Sequence, residues 1–165
     1  MCMDESPVLQ KTSPRDIFTH LLAIITLYVS AVSFGMLIFQ YVNLAFPDIA
    51  QGDTYYMVQS AQGSIRWAIA SLIVIFPVYL LTMRYLNRSY RAMPSKRDLR
   101  IRKWLIYFTL FIASLVMIGD LVALINNFLG GELTVRFFLK VLTIFFVAGS
   151  VFYYYFWDLK THRTE

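Results

Sequence analysis

Trp104 to Trp157 reads WLIYFTLFIASLVMIGDLVALINNFLGGELTVRFFLKVLTIFFVAGSVFYYYFW. Two apolar runs, Trp104–Leu129 and Leu133–Trp157, flank the turn Gly130-Gly131-Glu132. Each run exceeds the roughly 20 residues with which a helix crosses the hydrocarbon core of a bilayer. A turn this short brings the second run back antiparallel to the first. Working outward, Trp67–Leu86 and Ile17–Phe46 reach the same length, and the latter is long enough to tilt or to project past the headgroups. The fold class expected is all-α: a four-transmembrane-helix, up-down-up-down bundle in a single domain, residues 1–165, with a basic loop at 87–103.

Composition agrees. Of 165 residues, 58% are hydrophobic, 17% aromatic and 15% charged, and the mean hydropathy is +0.58. Soluble domains run at about 45–50% apolar and about 25% charged. That balance argues against a soluble enzyme, a nucleic-acid binder or a disordered segment. The single cysteine, Cys2, rules out an internal disulfide framework and a cysteine-based metal site.

The first span opens with Ser13-Pro14-Arg15-Asp16, which predicts a capping hydroxyl, a proline at the first helical position and a carboxylate in the first turn. Its apolar run is too long for a signal peptide and the leader mixes acids with bases, so the helix is expected to be retained. Orientation follows from the basic residues. Arg84, Arg88, Arg91, Lys96, Arg97, Arg100, Arg102 and Lys103 crowd the loop between the second and third spans, Lys11 and Arg15 lie in the leader, and Lys160 and Arg163 lie in the tail. Those are twelve of the fifteen Lys and Arg, so both termini and the basic loop are expected in the cytoplasm. The loop residues are expected to contact anionic phospholipid headgroups. The net charge of +5 therefore calls for no nucleic-acid partner. Tyr85, Tyr90, Trp104, Tyr107, Tyr153, Tyr154, Tyr155 and Trp157 suit an aromatic belt on this side, and Tyr41 and Trp67 one opposite.

Within the spans, polar residues keep to one helix face. Thr19, Thr26, Ser30, Ser33 and Gln40 form such a stripe on the first. Thr109, Ala113, Asp120 and Asn127 form one on the third, and Arg136, Lys140, Thr143, Val147, Ser150 and Tyr154 one on the fourth. The second span has only Ser71 and Thr82, with Pro77 as a predicted kink. Small and hydroxyl-bearing faces are what helices in lipid use to associate. Asp120 lies ten residues before Gly130 and Lys140 nine after Gly131, so at about 1.5 Å per residue both reach the same depth. An unpaired charge there is costly, which predicts an Asp120–Lys140 ion pair with Asn127, Arg136 and Gln40 nearby. Such a pair acts either as a structural lock or as part of an ion, proton or solute path.

Catalysis has little to stand on. There is no HExxH, GxSxG or glycine-rich phosphate loop. A haem site would need two axial ligands on facing helices, but His20 falls off the polar stripe of its helix and His162 sits in a charged tail, so they read as an interfacial and a tail histidine, and Asp48, Asp53, Tyr55 and Tyr56 read as ordinary solvated loop. No enzyme activity, cofactor or metal is expected.

The strings SPRDIFTHLLAIITLYVSAVSF (Ser13–Phe34), IRWAIASLIVIFPVYLL (Ile65–Leu81) and LRIRKWLIYFTLFIASLVMIGDLVALINNFLGGELTVRFFLKVL (Leu99–Leu142) resemble a bacterial family of small four-helix membrane proteins known as a domain of unknown function. The GD-L…N-LGGELT-RF-LKVL stretch is the most specific part. The resemblance implies a four-span protein of the bacterial inner membrane and supplies no substrate, cofactor or catalytic residue. The function expected is that of a non-enzymatic accessory, assembly or lipid-contacting module. The alternative is a small oligomeric ion, proton or solute transporter or channel with Asp120 and Lys140 lining the path. The partners expected are the lipid bilayer and its anionic headgroups, with a homo-oligomer or another membrane protein as further candidates.

Overall fold

The computed structural model describes residues 13–46, 54–92, 100–131 and 134–161. It consists of four helices: α1 Pro14–Ala45, α2 Thr54–Ala92, α3 Arg100–Leu129 and α4 Val135–Thr161. All four are long and apolar enough to cross a membrane. No strand occurs among the described residues.

Each helix outruns its apolar core. α2 begins at Thr54, well ahead of Trp67, so Tyr55 and Tyr56 are helical rather than part of a loop, while Asp48 and Asp53 lie outside the described residues. Hydropathy marks only the part of a helix that lipid must surround. α2 runs as one helix through the polar segment before its apolar part and past Pro77, which has no amide hydrogen to give to the preceding turn. At the start of α1, Pro14 takes the first helical position and Asp16 the first turn. The expected capping by the Ser13 hydroxyl is not made. The Ser13 carbonyl instead accepts from the amides of Asp16 (2.9 Å) and Ile17 (3.3 Å).

The turn between α3 and α4 uses Gly131 at φ 70°, a left-handed conformation that a side chain disfavours. Thr134 then caps α4, its hydroxyl oxygen accepting from the amide of Phe137 at 3.2 Å.

α1 is central. It packs most extensively on α2, then on α4, and lightly on α3, while α3 packs on α4. The backbone of α2 approaches neither α3 nor α4. The contact faces are small or hydroxyl-bearing: Ala23, Thr26, Ser30 and Ser33 on α1, Ala61 and Ala68 on α2, Thr109 and Ala113 on α3, Thr143 and Ala148 on α4 are buried. The threonines satisfy themselves along their own helices. Thr26 donates to the carbonyl of Leu22, Thr82 to Val78 and Thr143 to Leu139, each at 2.8 Å. This lets a hydroxyl sit between helices without an orphaned donor. Large apolar side chains point outward instead, among them Trp67, Ile73, Phe111 and Phe146. That inversion fits a lipid surround, where apolar exposure costs nothing.

Candidate functional site

At one end, the beginnings of α1 and α3 meet the ends of α2 and α4 around a polar centre. His20 is buried on α1 and Tyr90 on α2. The Nδ1 of His20 donates to the Asp16 carbonyl at 2.6 Å. A carbonyl can only accept, so the neutral ring carries its proton on Nδ1, and Nε2 accepts from the Tyr90 hydroxyl. Both ring nitrogens are thus engaged, leaving neither for a haem iron.

The Arg102 guanidinium of α3 lies 5.1 Å from the centre of the Tyr90 ring, within cation–π range. Its Nη2 donates to Oδ2 of Asp158 on α4 at 2.6 Å. Arg15 donates to the Tyr85 hydroxyl nearby. His20, Asn87, Tyr90, Arg102, Tyr155 and Asp158 line a cavity of about 60 Å³, room for water molecules, each of which needs about 10–15 Å³. One step deeper, the Tyr28 hydroxyl donates to that of Thr109 at 3.0 Å, tying α1 to α3.

Several expectations change here. His20, expected at the water boundary, and Tyr90 and Tyr155, expected in the lipid belt, are buried. Arg102, expected to face anionic lipid, is turned inward by Asp158 and Tyr90. Arg84, Arg88, Arg91, Arg100 and Lys103 are exposed, as lipid contact requires, while Lys96, Arg97 and His162 lie outside the described residues. The sequence signal for this centre was Asp158, an acid directly after the apolar run of the fourth span.

The second feature is a lateral groove of about 620 Å³ between α1, α3 and α4, open on one side and walled by Gly35, Met36, Phe39, Val116, Ile144 and Val147 among others. Its polar end holds part of the expected intramembrane cluster. Gln40 and Asn43 line the groove, the Asn43 Nδ2 donates to Gln40 Oε1 at 3.1 Å, and Arg136 Nε donates to Asn43 Oδ1 at 3.1 Å. Asn43 was missed although it continues the Gln40 face three residues on. The Lys140 ammonium lies 5.7 Å from the centre of the Phe39 ring.

The expected Asp120–Lys140 pair is not formed. Asp120 is buried with its Oδ2 lacking any hydrogen-bond partner, and Lys140 turns to Phe39 of α1. Equal depth is set by residue count, whereas pairing needs both side chains to face the same seam. The long lysine stem lets its charge swing away from α3. Asn127 likewise serves its own helix, donating to the Ala123 carbonyl at 2.9 Å. Among the described residues, no group of three or more His, Cys, Asp or Glu could hold a metal.

The model of a family described as a domain of unknown function (DUF5671) matches residues 16–155. No curated protein and no solved structure matches the chain. The chain therefore belongs to the DUF5671 family.

Proposed function

We propose that this DUF5671 protein is a non-enzymatic, lipid-contacting module of the bacterial inner membrane, an up-down-up-down bundle with both termini in the cytoplasm. The observation that carries the reading is the groove between α1, α3 and α4: apolar, open on one side and bounded by helices long and apolar enough to cross a bilayer. In a bilayer, such a space is filled by an acyl chain. The orientation rests on the basic residues, of which the described Arg15, Arg84, Arg88, Arg91, Arg100, Arg102, Lys103 and Lys160 lie toward one end of the helices.

The test is lipid retention. Purified in mild detergent and weighed intact, the wild-type protein is expected to carry phospholipid. Gly35→Phe fills the groove, because a side chain there meets open space. It is expected to lose that lipid while keeping its thermal midpoint. Equal retention by both would overturn the reading.

The transporter alternative draws on one observation, the buried and unpartnered Oδ2 of Asp120. It requires ion or proton flux in proteoliposomes that Asp120→Asn abolishes.

A further inference from the structure

We propose that Gln40 is the recognition point of the α1/α3/α4 groove, donating to the ester carbonyl of a diacyl phospholipid whose acyl chain fills it. The proposal rests on the lipid-contacting reading and names the chemical group that the groove holds.

Donor and acceptor roles at the polar end follow one from another. Arginine can only donate, so Arg136 Nε must meet the oxygen of the Asn43 amide, and it does so at 3.1 Å. The Asn43 nitrogen is thereby turned to Gln40, where it needs an acceptor. Gln40 Oε1 supplies one at 3.1 Å. With its oxygen so committed, Gln40 keeps Nε2 as a donor, and no hydrogen bond from that nitrogen is made among the described residues. Both amides are half-buried and line the groove. An N–H left unpaired at the edge of hydrocarbon is costly, because the acyl region offers no water to accept from it.

The remainder of the groove indicates what brings the acceptor. Its walls are apolar from Phe39 to Tyr28, and the Tyr28 hydroxyl is spent on Thr109. From Tyr28 to Asn43 the helix rises about 22 Å, more than the roughly 15 Å that one leaflet contributes to the hydrocarbon core. A chain from a single leaflet therefore fits along it with its carbonyl at the Gln40 end. Gln40 lies five residues before Ala45, the last of α1, and so about 7–8 Å inside the helix end. The ester is the first acceptor that a phospholipid presents below its headgroup. It is neutral and accepts only, so it satisfies Nε2 without carrying a charge into the channel. A dialkyl lipid fills the same space but has no carbonyl, and an ionised fatty acid brings its charge with it.

The experiment incubates the delipidated protein with equal diacyl phosphatidylcholine and its dialkyl ether analogue, matched in chain length, and weighs the complexes intact. Wild type is expected to favour the ester by about three- to tenfold, the worth of one neutral hydrogen bond. Gln40→Met keeps the side-chain length without the donor, and is expected to lose the preference with total lipid maintained. Asn127→Leu, which removes an amide outside the groove that bonds its own helix, is expected to leave it unchanged. Gly35→Phe is expected to lose both lipids.

Equal retention of ester and ether by wild type, or a preference that Gln40→Met leaves intact, overturns the Gln40 site and leaves the lipid-contacting reading standing. No retained lipid in wild type overturns both. Should Gln40→Met fail to fold, Gln40→Leu takes its place, and a wild-type ratio of ester to ether near unity still decides against the site. A free fatty acid that displaces the diacyl lipid from wild type at equal concentration overturns the assignment to an ester.

Discussion

Asp120 and His20 show two ways of burying a polar group. His20 spends both nitrogens, one on a carbonyl and one on Tyr90, so its burial is compensated. Asp120 is buried with Oδ2 unsatisfied, and an isolated carboxylate at such a depth costs several kcal/mol. Asp120→Asn is therefore expected to raise the thermal midpoint in detergent, and a fall would show that the carboxylate has a partner. Because Asp120 and Lys140 do not meet, the effects of Asp120→Ala and Lys140→Ala on the midpoint should add in the double variant, and a marked departure from additivity would contradict the geometry. At the other end, Tyr90→Phe leaves Nε2 of His20 without its donor. A buried group left so costs about 1–3 kcal/mol, read as a lowered midpoint that His20→Ala does not deepen when combined with it.

Among the elements, the α3–α4 connection is the most local and was the most legible. Gly130-Gly131 between two apolar runs announces a helix stop, and Gly131 adopts the left-handed backbone that requires it. Gly131→Ala is expected to cost roughly 1–2 kcal/mol, measured by thermal or chemical unfolding in detergent. Thr134→Ala should cost about 1 kcal/mol through loss of the cap on α4. The start of α1 was only partly legible: proline and aspartate took the expected places, but the Ser13 hydroxyl did not cap. The beginning of α2 was missed, since a polar helical extension has no hydropathy signal to separate it from a loop.

The whole molecule is ordered around α1, with α2 on one flank and the α3–α4 hairpin on the other. The backbones of sequence neighbours α2 and α3 thus stay apart, and the two helices meet through long side chains such as Tyr90 and Arg102 at one end. In a Cys2→Ser background, Asn43→Cys with Arg136→Cys should crosslink on oxidation, whereas Val78→Cys with Phe111→Cys should not. The reverse pattern would replace this arrangement with a closed ring of sequential neighbours.

The number of spans, the helical class, the hairpin turn and the small-residue faces were all determined by the sequence alone. Each follows from local quantities: run length against bilayer thickness, periodicity, and a glycine where the backbone demands one. The tertiary structure decided which seam each polar side chain enters. Residue count puts Asp120 and Lys140 at one depth, yet they do not meet, while His20, Tyr90, Arg102 and Asp158 come from four helices and meet only once those helices pack. Depth along a helix is counted in residues, but azimuth between helices depends on which neighbours they choose. In lipid that choice rests on many small contacts spread across every face.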